Sequence, residues 1–278
     1  MKNIAVVTDS TCDIPYDLAE HYQIQVVPNI LIIEGQSIKD DKQFSRQEFY
    51  TRLPEMRSFP TTATASVGVY EDLYQQLFND GVNEIISIHA PHILSGIYNT
   101  ATLAAQSFNG KVHVFDSGQI SLGLGFQVLA VAEAIAQGLS MDAVITRLED
   151  VHRRIRLVAM LDTLEFIRRS GRVSWARARL GNLLNLKPFV EVKDGLVLSL
   201  GEVRTRRKGI ERLMEMLHRV GPIERLAILH TNAEMDARDI LKNFAPQIDP
   251  PALLVNITTV IGAHVGPNGL GFVTVIAE

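Results

Sequence analysis

Residues 4–15 read Ile4-Ala5-Val6-Val7-Thr8-Asp9-Ser10-Thr11-Cys12-Asp13-Ile14-Pro15. The apolar run 4–7 is a first strand, and the hydroxyl-rich loop after it ends at Asp13, an N-cap residue type, with Pro15 near the first helical position. A short helix through Leu18 and His21 should follow. Strand, loop and helix in this order open a βα unit, the building block of a parallel sheet with crossover helices.

Working outward, the alternation continues. Residues 24–27 and 29–33 read as extended, Glu34-Gly35 as a turn, and Ser45-Arg46-Gln47-Glu48 has capping-box spacing for a helix carrying Phe49 and Leu53. Ser66 is placed to cap a helix with Val69, Leu73, Leu77 and Phe78 on one face and Gly81 at its end. Strands over 84–88 and 112–115 are each followed by a helix, over 95–106 and over 128–136, the latter closed by Gly138. After a helix over 141–154 the pattern changes. A strand over 157–161 precedes a short helix capped by Asp162 and stopped by Gly171, and strands over 187–192 and 196–200 flank Asp194-Gly195, a strong hairpin signal. A basic helix over 206–220, then strand 226–230, helix 233–244 and strands 254–258 and 271–276 complete the chain. The expected fold is α/β in two domains: 1–155 with a parallel sheet, and 156–278 with a mixed sheet, packed with a cleft between them.

Of 278 residues, 46% are hydrophobic and 21% charged, which is ordinary for a globular chain. The single cysteine, Cys12, excludes a disulfide framework and fits a reducing cytosol. The first strand begins too early for a signal peptide, and the apolar stretches are too short to cross a bilayer. A cytoplasmic location is expected. The net charge of -4 conceals an uneven distribution, with 16 basic and 8 acidic residues between Arg147 and Arg212. Such an island steers an anionic partner. Its cations are scattered and its aromatics few, so an acidic protein surface fits it better than nucleic acid.

The motif census is mostly one of exclusion. There is no P-loop, no G-x-S-x-G elbow and no H-E-x-x-H pair. Gly123-Leu124-Gly125 lacks the third glycine of a dinucleotide fingerprint and reads as helix packing. His89 and His92 are close in sequence, but a metal site needs three or four converging ligands, so no metal is expected. What remains are hydroxyl loops at strand ends: Asp9-Ser10-Thr11, the loop from Thr61 to Ser66, Leu94-Ser95-Gly96 and Asp116-Ser117. In an open parallel sheet a small anion gathers at this end, near the N–H groups of helix N-termini. Ser66 is most simply a helix cap. Thr62 lies four residues earlier than capping requires, and Gly96 beside Ser95 lets a ligand approach the backbone. A glycine-dense return centred on His264 is a further candidate, its imidazole set among Gly262, Gly266 and Gly269.

These features together resemble the DegV family of bacterial fatty-acid-binding proteins, over essentially the whole chain. Thr8-Asp9-Ser10 with Asp13, the Thr62 loop, Leu94-Ser95-Gly96 with Tyr98, and Asp116-Ser117 fall in family order. So do Ser170-Gly171-Arg172-Val173, the segment from Gly181 to Pro188, Arg204-Thr205 and His264-Val265-Gly266-Pro267. The threonine loop here reads Thr62-Ala63-Thr64-Ala65-Ser66 where Thr-Ser-Gln-Pro-Ser is common, His89-Ala90-Pro91-His92 replaces common serines, and Ala263 replaces a threonine.

The resemblance implies a two-domain fold, an α/β/α domain with a parallel sheet and an α/β domain with a mixed sheet. It implies a long-chain fatty acid such as palmitate as ligand, its acyl chain buried and its carboxylate near the domain junction. Thr62 and Ser95 would donate hydroxyls to that carboxylate, with Gly96 beside them and His264 in the same polar cluster. Some members are the acyl-carrying subunit of a fatty acid kinase and present the carboxylate to a separate ATP-binding subunit. In that setting Arg172 and Arg204 would dock the partner, with a transient membrane-surface contact also open and no cofactor required. No catalytic residue is expected. Two other readings compete. One is a serine-type hydrolase of lipid-like esters built from Ser95 or Ser10, His264, and Asp9 or Asp116. The other is a nucleic-acid-binding regulator using the basic segment.

Overall fold

The structure, a computed structural model, describes residues 4–178, 186–244 and 250–278. The family-like segment starting at Gly181 therefore lies largely outside the described residues.

The chain opens with β1 (Ile4–Asp9), α1 (Tyr16–Tyr22), β2 (Gln25–Val27), β3 (Ile30–Ile33), β4 (Gln36–Lys39) and α2 (Arg46–Arg52). Next come β5 (Thr61–Ala63), α3 (Val67–Asn79), β6 (Glu84–His89), α4 (Ile97–Ala105) and β7 (Val112–Asp116). A parallel sheet runs β2-β1-β6-β7. All six residues of β1 are buried, because the strand is central and both faces are covered. Ala5 and Val7 pack towards Tyr70 and Tyr74 of α3, and Ile4 and Val6 pack the opposite way. A small antiparallel sheet, β4-β3-β5, stands apart from the parallel one.

Two long helices follow, α5 (Leu122–Ala136) and α6 (Met141–Arg154). Nearly every residue of α5 is buried, the mark of a helix enclosed on all sides. It packs on Ile86 and Ile88 of the parallel sheet and also on the strands of the second half. Gly125 makes this possible: a Cβ there would lie 2.4 Å from the carbonyl oxygen of Cys12.

The second half contains β8 (Ile155–Met160), α7 (Glu165–Ser170), α8 (Ser174–Ala178), β9 (Lys187–Lys193), β10 (Leu196–Val203) and α9 (Arg206–His218). It ends with β11 (Ile223–His230), α10 (Glu234–Phe244), β12 (Leu253–Asn256), α11 (Thr259–Val265) and β13 (Leu270–Ile276). Its sheet runs β10-β9-β8-β13-β11-β12, antiparallel except for the parallel pair β11/β12. The fold is thus α/β with one parallel and one mixed sheet, as expected. Asp194 and Gly195, both at positive φ, form the β9–β10 hairpin turn.

Four local expectations fail. Asp13 does not cap α1, whose N-cap is Pro15; it sits fully buried at φ 55 and accepts hydrogen bonds from Ser121 (2.7 Å), Thr258 N (2.8 Å) and Arg46 (2.9 Å). Ser66 occupies the N-cap position of α3 without a side-chain capping bond. Asp162 does not cap α7; it accepts from Lys187 Nζ at 2.6 Å, and Thr163 Oγ1 accepts from Glu165 N instead. The glycine-dense return is not a loop throughout, since α11 carries His264 in its last turn. Ser45, by contrast, does cap α2, accepting from Glu48 N at 3.2 Å.

Candidate functional site

Edge strand β5 holds Thr62 opposite Leu31 of β3, and α11 holds His264 against it. Thr62 Oγ1 and His264 Nε2 are 2.9 Å apart. Close packing fixes α11 on two sides. A Cβ on Gly262 would fall 2.2 Å from the Tyr50 hydroxyl oxygen, and one on Gly266 would fall 2.3 Å from the Phe166 ring. At the start of α11, Tyr50 donates to the carbonyl of Ile257 at 3.0 Å, and Asp40 accepts from the hydroxyls of Thr258 and Thr259.

Ser95 comes from the turn between β6 and α4, where Leu94 N and Ser95 N both donate to the Pro91 carbonyl at 3.0 and 3.1 Å. Thr62, Ser95, His264 and Arg172 line one cavity between the two halves, together with Thr11 and Ser170. Gly96 sits beside it as the N-cap residue of α4, and a Cβ there would meet only Thr64 Cγ2 at 3.8 Å. Arg204 is exposed and does not line the cavity. Burial drives the His264 pKa down to about 4, and the nearby charge of Arg172 acts in the same direction, so the imidazole is neutral at pH 7.

Away from its polar end the cavity meets a second chamber. Ile120, Ile167, Val197, Ile261 and Val265 belong to the walls of both, so the two cavities are adjacent. Beyond these shared side chains the wall is aliphatic, with Leu157, Val190, Val192 and Leu229 supplied by the mixed sheet. Polar groups in one cavity and hydrocarbon in the next suit an amphiphile with a small polar head.

Behind the polar end lies a buried relay that sequence reading did not single out. His89 Nδ1 is 3.0 Å from Asp9 Oδ2, His89 Nε2 is 2.7 Å from Ser87 Oγ, and that oxygen is 2.8 Å from the Tyr74 hydroxyl. Asp9 also accepts from the Thr11 hydroxyl (2.5 Å) and from Thr11 N (3.0 Å). Burial alone would raise the Asp9 pKa, but the hydrogen bond and charge of His89, together with Thr11, outweigh it and hold the carboxyl below its ordinary value. The loop Asp9-Ser10-Thr11 at the end of β1 was the available signal for Thr11.

The hydrolase arrangement is not assembled. His264 pairs with Thr62, Asp9 with His89, and Asp116 with His92 at 2.6 Å, so no aspartate orients His264. Ser10 opens onto a different, solvent-facing cleft lined by Tyr16 and Arg46. Part of the cationic island is engaged in ion pairs: Arg154 with Asp150 and Glu224, Arg156 with Glu191, Arg169 with Glu165, Arg206 with Asp236. Among the described residues Arg172 and Arg204 carry no ion pair. Nor does any group of three His, Cys, Asp or Glu among them offer a metal site. No helix among them is long and apolar enough to cross a membrane.

Residues 3–277 match the family described as an uncharacterised protein of the DegV family. The chain belongs to the DegV family. The protein DegV of Bacillus subtilis is 32% identical over 276 residues, covering 97% of this chain and 98% of the relative. A solved DegV family structure from Thermus thermophilus, described for its fatty acid binding, superposes with a TM-score of 0.91 at 32% identity, over 99% of this chain and 100% of that one. The crystal structure of Bacillus subtilis DegV, described as a fatty acid binding protein, gives a TM-score of 0.88 at 30% identity, covering 100% of both chains. DegV membership accounts for the parallel and mixed sheets together.

Proposed function

We propose that the protein binds a long-chain fatty acid, with the carboxylate at Thr62 and Ser95 and the acyl chain running past the shared aliphatic side chains into the apolar cavity. The observation that carries this reading is that the Thr62–Ser95–His264 cavity lies directly against an apolar one, the two sharing five aliphatic side chains. The fatty acid binding described for the relatives from Thermus thermophilus and Bacillus subtilis supports it.

In this reading neutral His264 is a positioning residue. Its Nε2–H donates to Thr62 Oγ1, which leaves the Thr62 proton to point at the carboxylate. Ser95 donates a second hydrogen bond, and the N-terminus of α4, starting just after Gly96, adds a favourable field. Burial of about 14 methylenes at roughly 0.8 kcal/mol each contributes about 11 kcal/mol before the costs of association. The ligand is held without a covalent step. The protein then presents the carboxylate to a separate ATP-binding kinase subunit, and the unpaired cations Arg172 and Arg204 dock an acidic face of that partner.

The test is extraction of the purified protein with organic solvent, followed by mass spectrometry and by titration of the stripped protein with palmitate. A stoichiometric fatty acid and saturable rebinding are expected. Absence of both, or ester turnover without retained lipid, would refute the reading.

A further inference from the structure

Thr11, on the turn that follows β1, contributes to the wall of the polar cavity a hydroxyl whose proton is already committed. The residue is buried, at 4% exposure, and lines the same cavity as Thr62 and Ser95. Its hydroxyl donates to Asp9 Oδ1 at 2.5 Å. Asp9, fully buried and held below its ordinary pKa, is ionised and can only accept. It takes four further bonds, from Thr11 N (3.0 Å), Asn29 Nδ2 (3.1 Å), His89 Nδ1 (3.0 Å) and Ala90 N (3.3 Å), which hold the carboxylate in place and keep the Thr11 proton turned towards it.

Among the described residues no group donates to Thr11 Oγ1. A hydroxyl oxygen carries two lone pairs, so Thr11 adds an unmatched acceptor to a wall whose other hydroxyls are donors. Thr62 Oγ1 is engaged by His264, and Ser95 Oγ accepts from Ile97 N at 3.4 Å, so both protons are left for a ligand. A carboxylate offers lone pairs only and cannot satisfy Thr11. It also stands near the ionised Asp9, a repulsion that Arg172 offsets. A primary alcohol matches the whole set. Its head has one donor and two lone pairs, against one acceptor, Thr11, and two donors, Thr62 and Ser95. A neutral head also escapes the cost of drying a charge.

Resting on the proposed function for the place of the hydrocarbon tail, we infer that the site takes a second class of ligand, long-chain primary alcohols, with the alcohol O–H donating to Thr11 Oγ1 and its oxygen accepting from Thr62 and Ser95. Thr11 is then the residue that distinguishes a neutral head from an anionic one.

The experiment uses protein stripped of lipid, unmodified and as Thr11→Val and Thr11→Ser, with three probes: palmitate, hexadecanol, and methyl hexadecyl ether, which has no donor. Dissociation constants are measured for each probe, and thermal unfolding is recorded for each variant. In the unmodified protein hexadecanol should bind at least tenfold more tightly than the ether. The ratio of hexadecanol to palmitate affinity should fall at least tenfold in Thr11→Val and stay within threefold of the unmodified ratio in Thr11→Ser. Palmitate binding without hexadecanol binding, hexadecanol no tighter than the ether, an unchanged ratio in a folded Thr11→Val, or an equal fall in Thr11→Ser would each overturn the inference while leaving fatty-acid binding in place. The comparison with the ether needs no variant, so it decides even where Thr11→Val does not fold. An unmodified protein that binds neither palmitate nor hexadecanol would overturn both.

Discussion

Thr62 Oγ1 and His264 Nε2 meet at 2.9 Å across 202 residues of sequence. One belongs to a three-residue edge strand and the other to the last turn of a seven-residue helix, neither of which would persist alone. Their meeting depends on the packing of the two halves, so the pair reports on the integrity of that junction as well as on the ligand.

Removal of either hydroxyl should weaken retention of fatty acid without unfolding the protein. Thr62→Ala and Ser95→Ala each leave part of a buried carboxylate unsatisfied, at a cost of about 1 to 3 kcal/mol, or roughly five- to hundredfold in affinity. Palmitate titration of the stripped variants measures this. Full retention in the double variant would refute the carboxylate assignment.

The low pKa of His264, about 4, fixes the pH profile. Its folded-state value lies below that of free histidine, so the neutral form persists across pH 5 to 8 and Thr62 keeps its orientation there. Palmitate affinity at constant headgroup ionisation should be flat over that range. His264→Phe should reduce affinity with little change in thermal stability, and His264→Gln, which retains a side-chain N–H donor, should restore part of the loss.

Asp13 makes stability fall as pH rises. Burial lifts its pKa to about 6 against the opposing pull of Arg46, Ser121 and Thr258. Between the unfolded value of 3.8 and about 6 the folded state binds more protons than the unfolded one, so this group's contribution is full below pH 3.8 and is lost through pH 6. The size is roughly 3 kcal/mol on the scale of 1.36 kcal/mol per pKa unit. Urea unfolding of unmodified protein and Asp13→Asn between pH 4.5 and 7 isolates it, and the variant should have the flatter or more rising profile. An identical slope in both would exclude Asp13 as the source.

Docking of a kinase partner should depend on Arg204 and not on the lipid. Arg204→Ala is expected to weaken the complex with an ATP-binding subunit and reduce its salt dependence, while palmitate titration stays unchanged. A salt-insensitive complex that survives the substitution would remove this role.

Gly262 tolerates no side chain. With a Cβ 2.2 Å from the Tyr50 hydroxyl oxygen, Gly262→Ala must displace either the ring or α11, at about 1 to 3 kcal/mol in urea unfolding. Tyr50→Phe should not relieve it, because the ring carbon Cε1 also lies within 2.6 Å of that Cβ.

Most regular elements were legible because their local signals agree with their burial. The helix Met141–Arg154 shows its apolar stripe, Asp194-Gly195 its turn, and Ser45 with Glu48 its cap. The short elements at the site were not. Gly262 weakens any helical signal in α11, and that helix is held by Tyr50 and Phe166, which lie far away in sequence. Asp13 carries the chemistry of a cap, but tertiary partners engage its carboxylate instead. Thr62, Ser95 and His264 could be chosen by residue type and neighbouring glycines. Thr11 was signalled only by its hydroxyl loop, and the Asp9–His89–Ser87–Tyr74 relay and the side chains shared by the two cavities could not be chosen at all, since their members share no spacing and only the folded chain brings them together.

The enclosure of α5 between the two sheets has a consequence for how a hydrophobic guest gets in. A clam-like parting of the halves would strip Leu124, Val128 and Val131 of their neighbours and wet the centre of the molecule. Under the proposed function, loading is expected to proceed through local movement of the cavity wall, with the central helix staying in place.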